Sequence, residues 1–196
     1  MLKIIIIFLL FTTFIHANET KIAAEENLIC LGVQVSQGIS TETLSNETGS
    51  KEYDYRLTSV KVILGQDFDF YRMGMQTSRL QLGYKYSALD SDVSYKTVSL
   101  GYQENMRYWS FLDEGDHHIY PLASVDLGYA SINNEALSAK GLSIELGLGV
   151  AYRYRDVDFS LAFVSTYIDW NHPEEGVADY MLNNQIALGM TYRFMD

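Results

Sequence analysis

Leu142 to Arg155 reads "LSIELGLGVAYRYR", and every second residue of it is apolar or aromatic. Leu142, Ile144, Leu146, Leu148, Val150, Tyr152 and Tyr154 share one parity. Ser143, Glu145, Gly147, Gly149, Ala151, Arg153 and Arg155 share the other. A side-chain period of two belongs to a β-strand, whose successive residues point to opposite faces of the sheet. Seven more segments repeat it: "LICLGVQVSQG" (28–38), "TSVKVILGQ" (58–66), "LQLGYKYS" (80–87), "TVSLGYQ" (97–103), "ASVDLGYAS" (123–131), "VDFSLAFVSTY" (157–167) and "NQIALGMTYRFMD" (184–196). Eight two-faced strands leave little room for anything but an all-β fold.

The connections alternate in character. "STETLSNETGSKEYD" (40–54), "ALDSDV" (88–93), "INNEALSAK" (132–140) and "NHPEEGVAD" (171–179) are polar and mostly long. "DFD" (67–69) and "RDV" (155–157) read as tight turns, and "WSFLDEGDHH" (109–118) is a longer member of the same set. Between Phe70 and Tyr86 the apolar parity switches, which predicts a bulge around Thr77–Arg79 or a turn at that point. Leu82-Gly83-Tyr84, Leu100-Gly101-Tyr102 and Leu127-Gly128-Tyr129 repeat a motif with glycine on the polar face. Glycine weakens a strand, so its recurrence on one face signals crowding or curvature there, as inside a narrow closed barrel.

The first residues, "MLKIIIIFLLFTTFIHA", combine a lysine, a short apolar run and a small residue at the exit. That is the form of a secretory signal peptide, 1–17, and the run falls short of the ~20 apolar residues a spanning helix requires. Residues 18–27 then read as a short periplasmic segment and 28–194 as one barrel domain. Without 1–17 the chain has 13 Lys and Arg (14 less Lys3) against 25 Asp and Glu, a net charge of about −12. Such acidity argues against nucleic acid as a partner, since phosphates are held by Lys and Arg. Cys30 is the only cysteine, so an internal disulfide is excluded.

A soluble barrel of the lipocalin type also has eight strands, but it would bury its apolar face. Three features favour lipid outside and water-like chemistry inside. The polar parity carries Lys61, Lys85, Asp126, Glu145 and Arg153 among Gly and Ser, as in the lumen of a small transmembrane barrel. Aromatics gather at strand ends. Tyr71, Tyr102, Tyr108, Trp109, Tyr120, Tyr152, Tyr154, Tyr192 and Phe194 are expected near one rim. Tyr53, Tyr55, Tyr84, Tyr86, Tyr95, Tyr129, Tyr167, Trp170 and Tyr180 are expected near the other. The alternation of long and tight connections matches extracellular loops and periplasmic turns. The reading is an eight-stranded antiparallel up-and-down transmembrane β-barrel after a cleaved signal peptide.

Over residues 28–194 the chain resembles the small outer-membrane β-barrels of Gram-negative bacteria, the OmpA/OmpX-like porin superfamily. Such proteins typically end in Gly-x-x-aromatic-x-aromatic, a signal read by the outer-membrane assembly machinery, and Gly189, Tyr192 and Phe194 match it. Ala187 stands where a polar residue is expected, and Met195-Asp196 follow the usual terminal aromatic. The resemblance implies the bacterial outer membrane, contact with its lipid and lipopolysaccharide, and a monomer without a cofactor.

Some eight-stranded outer-membrane barrels modify lipid A, using a histidine set with a serine and usually a carboxylate. His172 is near Glu174, Glu175 and Ser165, but no His-x-Ser motif like that of the deacylases occurs. His117-His118 with Asp113, Glu114 and Asp116 have metal-ligand character, though adjacent histidines on a turn are more often simply polar. The inner-face charges Lys61, Lys85, Arg153 and Arg193 against Asp126, Asp158 and Glu145 predict a paired network that fills the lumen. Glu145 and Arg153 lie about 26 Å apart on one strand, so each must find a partner elsewhere. The expectation is a non-enzymatic barrel, structural or surface-interacting through its loops, with no surface ligand named by the sequence. A narrow pore is the alternative, and a lipid A-modifying enzyme the third reading.

Overall fold

The computed structural model describes residues 24–46, 49–70, 76–90, 93–106, 109, 111–114, 116–133, 138–171 and 180–194. The segment 1–17 expected to be a signal peptide, the residues His172, Glu174 and Glu175, and Tyr71 and Tyr108 lie outside the described residues. The strands are β1 (Ala24–Asn46), β2 (Gly49–Phe70), β3 (Gln76–Leu89), β4 (Ser94–Met106), β5 (Leu112–Glu114), β6 (His117–Asn133), β7 (Ser138–Tyr154), β8 (Val157–Asn171) and β9 (Tyr180–Phe194). β1 starts upstream of Leu28, with a register shift between Glu25 and Leu28.

All pairings are antiparallel between sequence neighbours, with two exceptions to simple order. β1 pairs with β9 from Ile29↔Phe194 to Thr43↔Tyr180, and β4 pairs with β6 from Tyr95↔Ile132 to Asn105↔Leu122. The three-residue β5 only extends the β6 hairpin. Eight strands therefore close into a ring, which removes the unpaired edges that lipid cannot solvate. Both chain ends of the barrel, Ile29 and Phe194, meet at one rim.

The alternation of the sequence becomes an alternation of outside and inside. Leu148, Leu100, Leu188 and Leu127 point outward at 65%, 66%, 63% and 61% exposure. Their neighbours of opposite parity face the lumen and are buried or half-buried there. From Leu142 to Tyr152 the outer face of β7 is apolar over eleven residues, ten steps of rise. At the usual rise and barrel tilt that is about 26 Å of height, the thickness of an outer-membrane apolar band. Tyr84, Tyr86, Tyr129, Tyr167 and Tyr180 edge the band on one side; Tyr152, Tyr154, Phe159, Tyr192 and Phe194 edge it on the other. Exposed leucines in a belt between two aromatic girdles have only one stable environment. This is a transmembrane β-barrel of the outer-membrane type.

Several expectations change in detail. The β2–β3 ladder is continuous from Leu57↔Leu89 to Asp69↔Thr77, so Asp67–Asp69 are strand rather than turn and no bulge occurs at Thr77–Arg79. Residues 71–75, which connect β2 to β3, lie outside the described residues. The polar stretch 40–54 is not a loop. It continues β1 and β2 as a ladder to Asn46↔Gly49, beyond the last β2–β3 pair at Leu57↔Leu89 and the last β1–β9 pair at Thr43↔Tyr180, so that its tip is a two-stranded ribbon above the barrel. Tyr95, Tyr120 and Trp170 belong to neither girdle: they face inward at 1%, 0% and 4% exposure. Tyr53 and Tyr55 also share the inward parity, with Tyr55 packed against buried residues of the lumen. Parity decides this, since an aromatic near a strand end has equal access to either face until the register is fixed.

Candidate functional site

The lumen is built in three tiers, and the glycine motif makes room for the middle one. A Cβ on Gly83 would lie 2.7 Å from Lys61 Cε and 2.6 Å from Ser99 Oγ. At Gly101 it would strike the Asp126 carboxylate. In this tier Lys61 Nζ sits 2.9 Å from Glu145 Oε1 and 3.1 Å from Asp126 Oδ2. Lys85 Nζ is 2.8 Å from Glu145 Oε2 and donates to Gln185 Oε1 at 3.0 Å. Thr166 Oγ1 donates to Glu145 and Gln81 Nε2 to Asp126, at 3.0 and 3.1 Å. All four charged groups are buried. Paired, they offset a desolvation cost of several kcal/mol per ion; unpaired, none would be tolerated.

The second tier lies towards the rim of the chain ends. Arg79 grips Asp67 through two bonds, Nε to Oδ1 at 2.6 Å and Nη2 to Oδ2 at 3.0 Å. Arg153 grips Asp158 likewise, at 2.7 and 3.3 Å. Asp158 also meets Arg79 Nη2 at 3.3 Å and Arg193 Nη2 at 3.6 Å, and accepts from the Tyr120 hydroxyl at 3.1 Å. The fork of a guanidinium matches the two oxygens of a carboxylate, so these pairs fix geometry as well as charge. Arg153 also lies over the Tyr120 ring, 5.3 Å from its centroid.

The third tier is apolar and closes the opposite mouth. Leu57, Leu89, Tyr95, Ala130, Ile132, Ala139, Ile168, Trp170 and Met181 form one buried cluster, with Tyr95 and Trp170 edge to face at 6.0 Å. Between the two ionic tiers lies a cavity of about 30 Å³, lined in part by Lys61, Arg79, Gln81, Asn105 and Asp158.

The expected charge set thus divides. Lys61, Lys85, Asp126 and Glu145 meet in one tier, and Arg153 and Arg193 in another. Arg79 and Asp67 complete the second tier and were absent from the expected set. Reading "DFD" as a turn and Arg79 as part of a bulge concealed them, although both share the parity of Lys61 and Lys85. The apolar cap had no sequence signal beyond inward parity. At the end of β9, Tyr192 and Phe194 face outward with rings 5.0 Å apart, while Gly189 faces inward against Ser160. Ile29 of β1 is the strand partner of Phe194.

Of the two described histidines, His117 serves the girdle at the rim of the chain ends, whereas His118 has the inward parity of Tyr120. His117 Nδ1 is 2.7 Å from the Tyr152 hydroxyl, and its ring stacks on Tyr154 at 4.9 Å. Asp116 is held by Arg155 at 3.1 Å. Among the described residues no group of three or more His, Cys, Asp or Glu is arranged to hold a metal ion. Ser165 lies on the outward parity of β8. On the outer face of β4, Glu104 accepts from Tyr102 and, at 2.9 Å, from Ser78.

No family model and no curated protein matches the chain. Among solved structures it is similar to Neisserial surface protein A, with 16% identity, 84% of this chain and 97% of that one covered, and a TM-score of 0.48. The outer membrane enzyme PagL gives 12% identity over 81% and 97%, with a TM-score of 0.49. Ail, the attachment invasion locus protein of Yersinia pestis, gives 15% identity over 87% and 100%, with a TM-score of 0.42.

Proposed function

We propose that this chain is a bacterial outer-membrane protein that acts from its outer surface: a monomeric, non-enzymatic barrel with a structural or surface-interacting role. The filled lumen is the observation that carries this reading. Its charged groups bind one another, and an apolar cap covers them, so transport is disfavoured. The same groups face away from the lipid, where an acyl-chain substrate would lie. What reaches into the medium is the tip of the β1–β2 ribbon. In this reading residues 1–17 direct export and are removed, 18–27 remain in the periplasm, and 28–194 are the barrel. Gly189, Tyr192 and Phe194 engage the assembly machinery, and the outer girdles contact lipid and lipopolysaccharide.

Membrane fractionation combined with gel migration of boiled and unboiled samples tests the location. The protein should partition with the outer membrane and shift on heating. Mass spectra of lipid A from cells with and without the protein should be identical. A soluble periplasmic protein, or an altered acyl pattern, would overturn the proposal.

A further inference from the structure

We propose that Lys96, Ser131 and Lys140 form a site on the barrel's outer wall for a phosphate group of an outer-leaflet glycolipid. The inference deepens the outer-membrane reading and rests on it. The three residues are neighbours in register: Lys96↔Ser131 across β4 and β6, and Ser131↔Lys140 across β6 and β7. All share the outward parity of their strands, and both lysines are exposed. Two strand spacings separate the lysines, about 10 Å between backbones. The serine hydroxyl lies between them, and the flexible stems bring both ammonium groups within reach of one anion.

Their height selects the ligand. One outward position closer to the membrane centre stand Val98, Tyr129 and Leu142, the last 69% exposed and therefore in lipid. Tyr86 of the girdle pairs with Lys96. The row is thus at the level where acyl chains give way to headgroups, at the rim opposite the chain ends. Lysines at such a boundary keep their stems along the apolar surface and their charge in the headgroup layer. Neither lysine makes an ion pair or hydrogen bond among the described residues, and Asp169, outward on β8, is not paired with Lys140. In a chain of net charge −11 the protein as a whole repels anions. Attraction for a phosphate must therefore be local, and charge-assisted bonds to it are strong in the partly dehydrated headgroup layer.

Native mass spectrometry of the refolded full barrel in detergent tests this, with bisphosphorylated lipid A, dephosphorylated lipid A and inorganic phosphate as separate probes. The parent should retain the bisphosphorylated lipid in preference to the other two. Lys96→Gln with Lys140→Gln should lower that retention by about thirtyfold. Lys96→Arg with Lys140→Arg should restore it, and Lys51→Gln on the ribbon should leave it unchanged. Heat-shifted migration verifies that each variant is folded. Equal retention of the dephosphorylated lipid, equal loss in the Lys51 variant, or an unaffected double glutamine variant would overturn the site. Capture of inorganic phosphate alone would do the same. A fractionation result against the outer membrane would fail the location separately, whatever the micelle binding shows.

Discussion

Glu145 has two ammonium partners, and neither lies on its own strand or an adjoining one. Lys61 and Lys85 reach it from β2 and β3 across the lumen. Glu145→Ala leaves Lys85 with only neutral acceptors, Gln185 and Thr166, while Lys61 retains Asp126. Breaking a buried pair in this way costs about 3–5 kcal/mol. The urea midpoint of the barrel in detergent should fall accordingly, and an unchanged midpoint would show that the tier adds nothing to stability. Two residues of β7 test the wall itself. Leu148 points into lipid, so Leu148→Arg should cost about 2–4 kcal/mol in a lipid-vesicle folding titration. Gly147 faces Ser124, so Gly147→Val should fail instead by crowding the lumen, in detergent as well as in lipid. A silent Leu148→Arg would mean that the strand is read on the wrong face.

At the scale of the element, β9 has two tasks that one substitution can separate. Its ladder with β1 closes the ring, and its last outward aromatics edge the apolar band. Phe194→Ala removes one exposed ring and no backbone bond, so refolding of the purified chain into detergent should change little. If Tyr192 and Phe194 are read during assembly, the amount of heat-shifted barrel in the outer membrane of cells should fall several-fold. Equal insertion of variant and parent would leave these rings a girdle role only. The β1–β2 ribbon poses the opposite case. Past Leu57↔Leu89 its β2 half pairs only with β1, while β1 keeps β9 as a second neighbour to Thr43↔Tyr180, so only the tip beyond Thr43 depends on its own cross-strand contacts alone.

Taken whole, the molecule is sealed twice. The apolar cap around Tyr95 and Trp170 closes one mouth, and two crossed sets of ion pairs fill the rest. Planar-bilayer recordings of the pure protein should show little or rare conductance. Trp170→Ala removes much of the cap and should destabilise the barrel by about 3–5 kcal/mol. It should not create steady openings, because both ionic tiers remain. Large, long-lived openings of the parent protein would favour the pore over a surface role.

The sequence by itself determined the strands, their two faces and their closure. A period of two repeated eight times, with leucine on one parity and Gly, Ser, Lys and Glu on the other, admits no helix. It also places the apolar face outside, since the crowded charged face could fit only a narrow interior. Local parity carries that information, so it was legible in the residues. Where the pattern was interrupted, reading failed: Asp67 and Arg79 sat beside a parity switch, and only the continuous β2–β3 ladder put both in the lumen. Likewise only parity tells Tyr95 and Trp170 from Tyr84 and Tyr129, and a reading by position near a strand end passed over it, since an aromatic there suits a girdle or a plug equally well. Partner choice also waited for the tertiary structure. Asp126 faces Glu145 in register, yet Asp126 is neutralised by Lys61 of β2 and Glu145 by Lys61 together with Lys85 of β3. Pairing across a lumen depends on how far the closed sheet brings opposite walls together, a distance that no single strand encodes.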